Sequence, residues 1–209
     1  ATNAIIPIAT AVITAMLAGY GPEAVAGFGV ASRIEGVMLV LFYAMSAIIG
    51  PFVGQNVSAG NADRINEALR LCLLFCLGSG LVIAILLAAM SGFLPGLFTD
   101  DSHVTDVAQL FLWIAPISYG AYGVVMVMNA SFNGIGSPMP AVAISVGRMG
   151  VIYVPVALLL NQFYGVAGIF AAYAIANLVT GAISYVWARS AVQGQCERHQ
   201  GPGIQSGTA

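Results

Sequence analysis

Lysine is absent from these 209 residues, and charge of any kind is scarce: Asp, Glu, Lys and Arg together make up 7% of the sequence, where a soluble domain carries about 25%. So few ionic groups cannot wet a globular surface. The six cations are all arginine and scattered, so no basic face for nucleic acid is present. Histidine occurs twice and cysteine three times. Cys72 and Cys76 stand one helical turn apart with no His, Asp or Glu beside them, so they read as packing residues rather than a disulfide framework or a metal site. No nucleophile–base pair, clustered acid or phosphate-cradling Gly–Lys loop lies in the apolar stretches. Asp100, Asp101 and Asp106 read as a solvated acidic loop. The expectation is therefore no enzyme, no catalytic residue, no metal and no cofactor.

Hydrophobic residues, in contrast, make up 59% of the chain, with a mean hydropathy of +0.93. A bilayer core needs about 20 apolar residues per helical crossing. Turn-forming and charged residues at 19–27, 55–66, 99–106, 133–138 and 161–165 cut the chain into spans at 1–19, 29–54, 68–92, 107–131, 138–160 and 165–188. The fold class is all-α: a polytopic membrane bundle of about six transmembrane helices occupying 1–189. The first span is short and reads as the truncated remainder of a longer helix. Residues 190–209, rich in Gly, Gln and Ser, read as a disordered tail. Arg64, Arg70, Arg189 and Arg198 assign their segments to the cytoplasm, and Glu23 and the acidic loop to the outside. Both ends of a multi-pass protein of the cell inner membrane are then cytoplasmic.

Polar side chains in a span should gather on the face that meets protein or water. Ser118, Tyr122, Met126, Asn129 and Asn133 recur at steps of four, four, three and four, one helical stripe. Tyr173, Asn177, Thr180 and Ser184 form a second. Two readings stand open: interhelical hydrogen bonds in a dry bundle, or the wall of a water-filled cavity.

Three ionisable residues fall within or at the edge of spans: Arg33, Glu35 and Arg148. Positions 33 and 35 point to different faces of a helix, so Glu35 needs another partner. Its own face continues through Leu39, Phe42 and Ser46. Glu35 is either one half of a structural ion pair, with Arg148 the candidate partner, or a carboxyl that takes up and releases an ion. Pro7, Pro51, Pro116 and Pro155 each lie in an apolar span, where the missing N–H and ring clash should kink the helix.

The segments AGFGVASRIE (26–35), PFVGQNVSAGNADR (51–64) and NASFNGIGSPMPA (129–141), followed by Arg148 and the GIF at 168–170, resemble the multidrug and toxic compound extrusion (MATE) family over residues 1 to about 190. The resemblance implies one lobe, the C-terminal one, of a twelve-helix secondary exporter with two six-helix lobes. Such a protein works by alternating access, exchanging H+ or Na+ for lipophilic or cationic organic compounds. Its implied partners are the lipid bilayer, small drug-like substrates and an N-terminal lobe. Sodium-coupled relatives carry a Glu in the seventh helix and an Asp in the tenth, whereas neither 1–19 nor 107–131 holds an acid. The coupling acid is then expected at Glu35 or in the N-terminal lobe. Candidate cavity and coupling residues are Arg33, Glu35, Phe42, Ser46, Ser118, Tyr122, Met126, Asn129, Arg148, Tyr173 and Asn177. Two alternatives remain: a lipid-precursor flippase of the same superfamily, which should line its cavity with several cations, and a non-transport membrane scaffold.

Overall fold

In hydrocarbon every backbone N–H and C=O must be satisfied internally, so long apolar runs with few breakers become helices. The computed structural model describes residues 5–200, with side chains from 10 to 196. Its helices are α1 (Ile5–Ala18), α2 (Pro22–Ser58), α3 (Ala62–Met90), α4 (Ser102–Ile114), α5 (Tyr119–Gly134), α6 (Pro138–Val146) and α7 (Val154–Gln200). A 3-10 turn, Ala115–Ser118, joins α4 to α5, and a π-helical turn, Gly147–Tyr153, joins α6 to α7. Both irregular turns have a proline at hand. Pro116 lies inside the first, and Pro155, immediately after the second, offers no N–H to the preceding turn. Pro51 sits within the continuous α2. Pro7 lies in α1, with its side chain outside the described residues.

Gly165 breaks α7 with φ 55 and ψ −134, a conformation that a side chain would strain. The chain reverses there. Gly168 packs so closely on the Leu160 backbone that a Cβ would collide with it, and Arg148 meets Asn177 from the other arm. Among the described residues four stretches are long and apolar enough to cross a membrane: 22–58, 62–90, 102–134 and 138–196, the last comprising both arms flanking Gly165. With α1 these rods make the all-helical membrane bundle that the sequence pattern implied.

Two boundaries differ from expectation. The fourth rod starts at Ser102 because the Asp101 carboxylate caps it, accepting from the His103 and Val104 amides at 2.9 and 3.4 Å. Residues 190–200, expected in the disordered tail, continue α7 as helix with Val192 and Cys196 buried. Residues 201–209 lie outside the described residues. The tail's opening turns are helical because small and apolar side chains there find cover, and Gln195 reaches the Ser137 hydroxyl at 3.5 Å.

The α4–α5 rod is the axis of the bundle: its most apolar stretch is 72% buried, against 28% for α2 and for α3. Small residues let its neighbours approach. Gly80 of α3 abuts Gly120, Gly54 of α2 faces Gly134, Gly181 of α7 rests on Ala121, and the Phe42 ring fills the space over Gly123. Close backbone packing of this kind substitutes for a hydrophobic driving force that lipid does not supply. The perimeter is correspondingly apolar. Val37, Ile48, Ile117, Met139, Val151 and Phe163 are each at least two-thirds exposed, as suits a face in contact with acyl chains.

The two ends of the bundle differ in charge. The α2–α3 turn, the α5–α6 turn and the end of α7 share one end, tied by Gly54 against Gly134 and by Gln195 to Ser137. This end carries Arg64, Arg70 and Arg189, with Asp63 and Glu67 beside the first two. The opposite end holds Glu23, Asp100 and Asp101, and there the Tyr20 hydroxyl donates to the Asn161 Oδ1 at 2.6 Å.

Candidate functional site

Glu35 lies 13 residues into α2, about 20 Å from the acidic end at 1.5 Å per residue. It opens into a cavity of about 150 Å³ lined by Thr10 and Ile13 of α1, by Phe28, Ser32, Gly36, Leu39 and Tyr43 of α2, and by Tyr122, Arg148 and Tyr173. The Tyr173 hydroxyl, from the second arm of α7, donates to the Glu35 Oε1 at 2.9 Å. The Tyr119 hydroxyl is buried beside the same carboxyl. On the side towards the acidic end, the rings of Phe28, Phe111 and Phe170 pack with centroids 5.0 to 6.4 Å apart. They give that side of the cavity an apolar surface.

Arg148 occupies the opposite wall, on the π-helical turn. It is 7% exposed. Its Nη1 donates to the Asn177 Oδ1 at 2.8 Å, and its guanidinium carbon stands 4.7 Å from the centre of the Tyr122 ring, a cation–π arrangement. Its Nε–H has no partner. Asn177 in turn donates to the Ser118 Oγ at 3.0 Å, and Ser118 donates to the Ala115 carbonyl at 2.9 Å. That polar chain ends at the 3-10 turn beside Pro116. A charged side chain at mid-membrane costs about 2.5–3.5 kcal/mol even on insertion scales. A hydrogen-bonded amide and an aromatic face offset part of that cost; Glu35 shares the cavity and acts on Arg148 across it, without an ion-pair contact between the two.

The structure thus brings together Glu35, Tyr122, Arg148 and Tyr173 on the cavity wall, with Asn177 and Ser118 just behind it. Arg33 does not belong to this group: it is exposed on the outer side of α2. Phe42 departs from the expected face too, since it is fully buried against Gly123 and Tyr43 takes its place at the cavity. Helix phase alone would favour 42, which at i+7 lies about 20° from the direction of Glu35 against about 80° for 43; the space over Gly123 takes the Phe42 ring instead. Ser46 spends its hydroxyl on the Phe42 and Tyr43 carbonyls of its own helix. Met126 is half-buried among apolar neighbours, and Asn129 donates to the Ser145 Oγ at 3.1 Å, both below the cavity. The stripes therefore divide. Their ends near Pro116 face the cavity, while Thr180 and Ser184 bond carbonyls of their own helix. Tyr43, Tyr119, Ser32 and Thr10 were missed. For all four only packing reveals the role.

A bundle with a lipid-facing apolar perimeter and its few interior polar groups gathered round one cavity is a multi-pass membrane protein of the transporter type. The MatE family model matches residues 1–159, and the chain belongs to that family, whose members are transporters. It is 35% identical over 187 residues to a Shewanella oneidensis protein named as an FAD transporter, covering 90% of this chain and 41% of that protein. It is 24% identical over 180 residues to the probable multidrug resistance protein YoeA of Bacillus subtilis, covering 83% of this chain and 39% of that one. Among solved structures, the Vibrio cholerae MATE transporter VcmN in its bent form superposes with a TM-score of 0.90 at 29% identity, over 95% of this chain and 45% of VcmN. The chain thus spans less than half the length of these relatives.

Proposed function

We propose that this chain is one lobe of a cation-coupled secondary exporter of lipophilic or cationic organic compounds, and that Glu35 is the carboxyl that exchanges the coupling ion, H+ or Na+. The observation that carries this reading is the pairing of an interior acid with a cavity too small for the cargo. About 150 Å³ accommodates an ion with a few waters, whereas drug-sized ligands occupy pockets of about 300–1,000 Å³. The cargo then travels outside this cavity, against a second lobe that completes the transporter, while ion exchange inside this one biases the helices that carry Glu35 and Tyr173. The arginine-bearing end faces the cytoplasm of the inner membrane by the positive-inside rule. The presence of a single buried arginine argues against a flippase for anionic lipid precursors.

The test is gradient-driven efflux of a fluorescent cationic dye from vesicles containing the two-lobe transporter. Glu35→Gln is expected to lower the initial rate at least ten-fold while membrane expression stays normal. Undiminished efflux would rule out the coupling role.

The identity to a flavin-nucleotide transporter over most of the chain supports a second reading of the cargo, export of a flavin dinucleotide. Vesicles assayed in parallel with dye and with flavin adenine dinucleotide separate the two, since the cargo exported in a Glu35-dependent manner is the true class.

A further inference from the structure

Arg148 presents an unresolved arrangement: a nearly buried cation that faces the same small cavity as a carboxyl, yet is bonded to an amide instead. Of its N–H donors only Nη1 is used, the Nε–H is unpartnered, and the remaining contact is the face of Tyr122. The Glu35 carboxyl, for its part, receives a hydrogen bond from Tyr173 on α7 and has Tyr119 of α5 beside it; among the described residues Tyr43 of α2 and Tyr122 of α5 complete the titratable groups around it, and Arg148 is the one cation. Each charge thus has a partial substitute for the partner it lacks.

We propose that Arg148 is the resident counter-charge of Glu35, parked on Asn177 and Tyr122 while Glu35 holds its ion and moving onto the Glu35 carboxylate when that ion leaves. The inference rests on the reading of Glu35 as the coupling acid and gives it a mechanism. A carboxylate stripped of its proton or sodium inside an apolar lobe would be an unpaired buried charge. An arginine already in the cavity removes that barrier, because its fork matches a carboxylate better than it matches an amide oxygen.

The backbone at Arg148 suits such a movement. The π-helical turn Gly147–Tyr153 is a wide turn two residues ahead of Pro155. It contains Gly147 and Gly150, at neither of which would a Cβ meet an atom within 4 Å. Exchange of partners has a consequence for the helices. With Arg148 on Asn177, the π turn is tied to the second arm of α7; with Arg148 on Glu35, it is tied to α2. Occupancy of one carboxyl then decides which helix the α6 rod follows.

The experiment is infrared difference spectroscopy of the two-lobe transporter in lipid bilayers, with isotope-labelled arginine, on changing pH and on adding Na+. The Arg148 guanidinium band is assigned by its loss in Arg148→Lys, and the Glu35 carboxyl band by its loss in Glu35→Gln. Wild-type chain is expected to show both bands shifting together. In Glu35→Gln the arginine band should stay where it is. Asn177→Ala, which removes the amide half of the parking site, should favour the paired state and so move the joint shift of the two bands to lower pH and to higher Na+ concentration. A Glu35 band that responds while the Arg148 band does not would overturn the exchange and leave the coupling role of Glu35 intact. A Glu35 band that responds to neither ion would overturn the coupling role and this inference with it.

Discussion

Tyr173 donates a 2.9 Å hydrogen bond to Glu35 across 138 residues of sequence, which ties the last rod of the lobe to its second. The bond is between a neutral phenol and a group that can carry charge, the kind worth about 1.5–3 kcal/mol when the acceptor is ionised. Under the proposed coupling role, it also makes the second arm of α7 sensitive to what Glu35 binds.

Tyr173→Phe deletes this hydrogen bond and little else. Ion-driven export is expected to fall about ten-fold, the equivalent of about 1.4 kcal/mol, the lower end for such a bond, with the protein still present in the membrane at normal abundance. Efflux rates normalised to expression check this, and an unchanged rate would show that the phenol is only a packing group.

The cavity should be reachable by water while the network behind it is not. In a background with Cys72, Cys76 and Cys196 replaced by alanine, cysteines at Thr10 and Tyr43 are expected to react with a water-soluble thiol reagent. A cysteine at Asn177, fully buried behind Arg148, should stay unlabelled. Equal labelling at all three positions would mean the interior is far wetter than its packing indicates.

The approach of α3 to α5 depends on Gly80, where a Cβ would run into the Gly120 backbone. Gly80→Leu is expected to destabilise the lobe by about 1–3 kcal/mol, the usual cost of overpacking. Gly78→Leu, two residues away in open space, should be nearly neutral. Unfolding of the two variants in mixed detergent, monitored by helix content, provides the comparison.

At the acidic end, Tyr20→Phe removes the 2.6 Å bond to Asn161, which is exposed and therefore worth about 0.5–1.5 kcal/mol. Global stability should change little. Hydrogen exchange of the amides around Gly165 should quicken, because that bond helps hold the break in α7 against the α1–α2 turn.

Much of the architecture was legible in the sequence because membrane insertion leaves few options. An apolar run of 20 or more residues becomes a helix, and a Gly or Pro marks where it ends or bends. The rods, the Asn–Gly and Pro turns and the family motifs all follow from composition along the chain. The helical onset at Ser102 and the ordered stretch of 190–200 were not legible, since a side-chain cap and the cover found by Val192 and Cys196 are products of neighbours.

The candidate site divides along the same line. That Glu35 and Arg148 are exceptional follows from the sequence alone, because a charge in hydrocarbon is too costly to be incidental. Which of them meets which partner does not follow. Arg33 and Phe42, adjacent in pattern, turn out to face away from the cavity. Tyr43 and Tyr119 face Glu35, and Arg148 lies beside it yet bonds Asn177. The gap over Gly123 that takes the Phe42 ring, the π turn ahead of Pro155 and the reversal at Gly165 set those relations. All three act through the packing of distant segments, so only the tertiary structure places an acid and an arginine in one cavity while keeping them apart.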